Sequence, residues 1–128
     1  MAGFREGGEG VTTRVPIDGP RDRFAELEAI KGETYSGEFG LFNSDGVTPV
    51  ELNGYTLTMY VWEGPTLKET VECEAGDEDG WVTASMSAAV TGALNPVAHH
   101  FEIWSDNGEG QIKLVLWGWL WVKGSCPQ

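Results

Sequence analysis

An all-β fold arranged as an antiparallel sandwich is what this sequence predicts, on three observations. Four dipeptides, Asp45-Gly46, Asn53-Gly54, Asp79-Gly80 and Asn107-Gly108, supply the positive-φ chemistry of tight turns. Between and around them lie strand-length segments rich in β-branched and aromatic residues: Thr34 to Asn43, Tyr55 to Trp62, Leu67 to Glu74, Trp81 to Ser87, Val97 to Trp104 and Gln111 to Val122. Within them apolar residues alternate, as where Tyr55, Leu57, Met59 and Val61 oppose Thr56, Thr58 and Tyr60. About six short strands with such turns fit two packed sheets.

The 128 residues suffice for one domain with one core. Residues 1–31 differ from the rest. Gly3, Gly7, Gly8, Gly10, Pro16, Gly19 and Pro20 leave little hydrophobic periodicity, so this part is expected to be an extended N-terminal arm. Inside it, Phe24, Leu27 and Ile30 recur at helical spacing while Ala25, Leu27 and Ala29 alternate as in a strand, and both readings stay open. The sandwich is expected over 32–124, with 125–128 as a tail. Ser87 to Leu94, small residues followed by Asn95-Pro96, is expected to form a single helical turn crossing between the sheets.

The last strand carries the strongest local signal. Ile112, Leu114, Leu116, Leu120 and Val122 are expected on one face and Val115, Trp117, Trp119 and Trp121 on the other, so both faces are apolar. A sandwich strand normally turns polar residues to water, and the tryptophan face must therefore be covered or bind a partner. Trp117, Trp119 and Trp121, with Phe4, Val11, Val15 and Ile17 of the arm, are the candidate partner-binding residues. Cover could come from a neighbouring subunit or from the arm itself.

Charge narrows the partners. Twenty acidic residues against 8 basic ones give a net charge of −12, which repels phosphate backbones and anionic lipid. Nucleic acid and membrane surfaces are not expected. The longest apolar run, Leu114 to Val122, falls short of the roughly 20 residues of a membrane helix. The start, MAGFREGGEG, has no apolar signal region, so synthesis in cytoplasm with Cys73 and Cys126 as free thiols is expected.

Catalytic and cofactor signatures are missing. GxSxG, the P-loop, the dinucleotide fingerprint, HExxH and CxxC do not occur, so no enzyme activity and no cofactor are expected. His99 and His100 are neighbours on a strand, should point to opposite faces and cannot chelate one metal. Asp77-Glu78-Asp79-Gly80 lacks the later ligands of a calcium loop and is expected to be an acidic hairpin turn.

The order from Gly32, GETY, a strand, Asp45 to Trp62 (DGVTPVELNGYTLTMYVW), a hairpin, SAAVTGAL and a final hairpin about Asp106 to Gly110, resembles a recurrent bacteriophage module. It is similar to the immunoglobulin-like domain at the N-terminus of phage baseplate upper proteins and of related small head, neck and tail accessory proteins. The resemblance implies an immunoglobulin-like antiparallel β-sandwich and a virion structural protein. It implies partners among other virion proteins, major capsid, neck or tail, and among copies of this chain. Head decoration is slightly favoured over neck, tail or baseplate attachment. The alternative from a different class is a carbohydrate-binding module, with Trp117, Trp119 and Trp121 as a platform whose rings stand roughly 7 Å apart along the strand.

Overall fold

The computed structural model describes residues 3–7, 10–18, 23–42, 48–49, 51, 54–75 and 80–124, with side-chain environments for 24–41, 48–49, 51, 54–75 and 80–124. Among these described residues nine strands and one short helix follow in order: β1 (Gly3–Gly7), β2 (Gly10–Asp18), β3 (Arg23–Ile30), β4 (Tyr35–Phe42), β5 (Thr56–Glu63), β6 (Thr66–Ala75), β7 (Trp81–Met86), α1 (Ala88–Gly92), β8 (Ala98–Asp106) and β9 (Ile112–Lys123). The all-β, sandwich-like fold class is the observed one. The six strands read from turn and alternation signals lie within about two residues of β4 to β9. Gly54, Gly80 and Gly108 have the positive φ their turns require; Asp45-Gly46 lies outside the described residues.

The strands form one continuous ladder, β1-β2-β4-β7-β6-β5-β8-β9-β3, bent at β6. Leu67 to Cys73 of β6 pair with β5, and Glu74 and Ala75 pair with β7, so this strand turns the corner between two layers. One layer is β1-β2-β4-β7 and the other β5-β8-β9-β3. Side chains from both layers join in a single core, including Tyr35, Phe39, Val82 and Met86 of the first and Leu27, Met59, Phe101 and Leu116 of the second. α1 carries the chain from β7 in one layer to β8 in the other, as a connection between sheets requires. Ser87 caps it by accepting from Val90 N–H at 3.2 Å. Buried Thr91 accepts from Gly32 N–H at 3.1 Å and donates to the Glu33 carbonyl at 2.7 Å, which ties α1 to the β3–β4 turn.

Two findings alter the expected arrangement. The ladder is mixed, because β2 runs parallel to β4 and β3 parallel to β9, whereas the other pairs are antiparallel. The segment expected as an arm also enters the sheet. β1 and β2 form a hairpin beside β4, and β3 places Ala25, Leu27 and Ala29 in the core, so the sandwich begins before residue 32. Between the two readings of Phe24 to Ile30, strand alternation prevails: Ala25, Leu27 and Ala29 are buried and Phe24, Glu26 and Glu28 are exposed. Among the described residues β1 pairs with Gly10 to Arg14 of β2, so Pro16 lies beyond that pairing, where its missing N–H is tolerated.

Cys73 on β6 is a free, half-buried thiol packed against the core, and burial pushes its pKa up to about 12. Burial first, and then the nearby Cys73, also raises the pKa of the Tyr35 hydroxyl. The Cys73 thiol should therefore be inert in the native state. In a Cys126→Ser background, labelling by a thiol reagent at pH 8 should be on the order of a hundredfold slower than in denaturant. Rapid native labelling would contradict this burial.

Candidate functional site

Strand pairing converts alternation in β3, β5, β8 and β9 into one outward face. Phe24 pairs with Trp117, Trp117 with Glu102, and Glu102 with Tyr60, which sets one row across the layer. A second row runs Glu26, Trp119, His100 and Trp62, and a third holds Glu28, Trp121 and Ala98. Cross-strand partners stand on the same face with β-carbons about 5 Å apart, so these rows are contiguous. Phe24 and Trp117 meet edge to face with ring centroids 5.0 Å apart. His100 lies between two indoles, 6.3 Å from Trp117 and 5.9 Å from Trp119.

A β-bulge enlarges the face and corrects one expectation. Ile103 pairs with Leu116 but Trp104 pairs with Leu114, so Val115 is the extra residue and alternation along β9 reverses there. Ile112 and Leu114 consequently share the outer face with Trp104, and half-buried Val115 packs against the core. Beyond the bulge the expected inward set holds, with Leu116, Leu120 and Val122 buried.

Most of this face is open. Phe24 is 51% exposed, Ile112 62%, Trp119 40% and Trp121 45%, while Trp117 is half-buried between Phe24 and His100. In the hydrogen-bonded ladder β1 and β2 join beside β4, while β2 also approaches β3 as the two layers close toward each other. Phe4 in β1 and Val11, Val15 and Ile17 in β2 thus lie on strands that are not paired with β9, and their side chains lie outside the described residues.

Glu102 is the polar centre of the site. Its carboxylate lies 3.0 Å from His100 Nε2 and accepts from Trp104 Nε1–H at 2.9 Å. These two hydrogen bonds, that of His100 first, hold the Glu102 pKa below the usual glutamate value. A carboxyl with a lowered folded-state pKa stabilises the fold above its unfolded pKa and loses that contribution as pH falls through the folded value. Wild type should therefore melt above Glu102→Gln at pH 7, and the difference should shrink below about pH 4. A difference that is constant with pH, followed by thermal denaturation, would contradict this assignment.

Sequence reasoning placed Trp117, Trp119 and Trp121 on this face but missed Phe24, His100, Glu102 and Trp104. The alternation of each strand held the signal; the order β5-β8-β9-β3, which brings the faces together, did not follow from it. His99, next to His100, points inward and is fully buried. Its Nδ1–H donates to the Val97 carbonyl at 3.0 Å, and Nε2 stands 3.7 Å from Glu63, whose carboxylate accepts from Asn95 at 2.9 Å. The two histidines thus serve opposite faces. Among the described residues no three His, Cys, Asp or Glu side chains converge as metal ligands, and Asp77 to Asp79 lie outside those residues. No helix among the described residues is long and apolar enough to cross a membrane.

No protein-family model and no curated protein sequence matches the chain. Among solved structures, the N-terminal domain of phage TP901-1 ORF48 is similar with a TM-score of 0.55 and 8% sequence identity, over 88% of this chain and 96% of that one. At this identity the likeness is one of fold. It shows the fold alone and does not carry the immunoglobulin-like family.

Proposed function

We propose that this chain is a bacteriophage virion structural protein, an accessory subunit that attaches to other virion proteins through the outer face of β3, β9 and β8. One observation carries the reading: Phe24, Ile112, Trp119 and Trp121 are exposed together on a single sheet face. An open aromatic patch of this kind on a globular domain marks an interaction surface. The fold shared with the N-terminal domain of a phage protein supports the virion setting. The major capsid protein, neck and tail offer such attachment, as does a baseplate, and the head surface is slightly favoured for a domain of this size.

The role is non-enzymatic and takes no cofactor. Turnover of a polysaccharide that is lost in Glu102→Gln would overturn that part. The attachment itself is tested by gradient purification of phage particles followed by mass spectrometry. The chain should co-migrate with particles in a fixed ratio to the capsid or tail proteins; recovery only in the unassembled fraction would exclude the role.

A second reading, carbohydrate binding, is favoured by the exposure of Trp119 and Trp121 beside the His100–Glu102 pair. Aromatic rings backed by fixed polar groups suit the apolar faces and hydroxyls of sugars. Titration with soluble oligosaccharides, with binding lost in Trp119→Ala, would promote this reading above the first.

A further inference from the structure

We propose that the outer face recognises an arginine-bearing basic segment of a partner protein, its guanidinium stacking on Trp119 and pairing with Glu26. The inference rests on the docking role above and specifies the chemistry of the partner. Its basis is the alternation of rings and carboxylates across one ladder. Glu26 pairs with Trp119 and Glu28 with Trp121, and all four side chains are exposed. A cation above an indole is attracted by the ring's negative face, and a carboxylate beside that ring adds a directed, charge-assisted hydrogen bond.

The protein's own cations indicate which position is open. Lys123 Nζ lies 2.8 Å from Glu28 and satisfies it. Glu26 has no ion pair among the described residues, and it stands opposite the 40% exposed indole of Trp119. His100 meets the same indole edge-on at 73°, which steadies the ring from its other side while its Nε2 is held by Glu102. A flat acceptor, one unpaired carboxylate and a fixed ring together suit guanidinium better than ammonium. Guanidinium is planar, weakly hydrated and able to stack and hydrogen-bond at once.

Charge also decides among occupants. A second copy would bring another chain of net charge −12 and another set of Glu26, Glu28 and Glu102 to the interface, so self-pairing through this face is opposed. A neutral glycan would leave the Glu26 charge uncompensated at a newly covered surface. A basic protein segment covers the rings and neutralises the carboxylate.

The test is calorimetric titration of the full chain with a blocked arginine-rich peptide, a lysine-rich peptide of equal length and charge, and a neutral chito-oligosaccharide. The arginine peptide should bind more tightly than the lysine peptide and weaken with added salt. Trp119→Ala and Glu26→Gln should each weaken it about three- to fivefold. Both positions are exposed, and unchanged melting temperatures would establish that the variants fold. Equal binding of the two peptides, indifference to either substitution, binding of the oligosaccharide alone, or self-association of the chain instead would each overturn the proposal. Particle incorporation separates the two levels. If Glu26→Gln/Glu28→Gln assembles like wild type, the arginine site fails and the docking role stands. If wild type is absent from particles, the docking role fails and the peptide titration still decides the site.

Discussion

Replacing Gly118 by alanine is expected to lower the melting temperature by about 10 °C or more and to free β3 from the sandwich. Gly118 lies in β9 between Trp117 and Trp119 and pairs with Ala25 of β3 on one side and Phe101 of β8 on the other. A β-carbon there would run into the Ala25 carbonyl, a backbone atom that cannot rotate away, and the residue holds φ at 154°. Steric overlap of this kind costs about 3 kcal/mol. Since β3 occupies the end of the ladder, it is the element that can yield. Its displacement would remove Leu27 from the core and separate Phe24 and Glu26 from Trp117 and Trp119, so stability and docking should fall together. Gly110→Ala supplies the control. It too has positive φ, 91°, but its β-carbon would meet nothing within 4 Å, so only the backbone cost of about 1 kcal/mol is expected. Hydrogen exchange in β3 amides reads the difference. Protection in Gly118→Ala equal to wild type would show that β3 does not depend on this close approach.

The double substitution Trp119→Ser/Trp121→Ser is expected to reduce incorporation into particles at least tenfold while leaving the melting temperature within a few degrees of wild type. At 40% and 45% exposure, each indole still presents about 100 Å² to water. Covering that area is worth about 2 kcal/mol per ring, an upper value because association also costs side-chain freedom. The core stays intact, because Leu116, Leu120 and Val122 lie on the opposite side of β9. Unfolding of the variant would assign the rings to the intramolecular core instead. Normal folding with normal incorporation would remove the face from the interface.

The parts of this fold that announce themselves in sequence are those governed by local chemistry. Asn107-Gly108 must turn, Leu57, Met59 and Val61 must share a face, and Ser87 can cap the short helix before Val90. Pairing partners distant in the chain are another matter. Nothing between Arg23 and Ile30 states that this strand runs parallel to Leu116 to Lys123, because parallel ladders leave no turn between their strands. The segment from Phe24 to Ile30 therefore stayed open between helix and strand in sequence, and the place of Phe24 and Glu26 beside Trp117 and Trp119 was not legible there. The bulge at Val115 was hidden for a similar reason. It is defined by the register of β8 against β9, and within β9 alone the alternation reads unbroken from Ile112 to Val122. The tryptophan row was legible because all three members sit on one strand.

Hydroxyl-radical footprinting of Trp119 and Trp121 in free protein and in purified particles tests the docking surface most directly. Both indoles should oxidise readily in the free chain and be protected several-fold in the particle, with Tyr55, exposed just before β5, as an internal reference of unchanged reactivity. Equal oxidation of the two tryptophans in both states would contradict a role for this face in virion attachment.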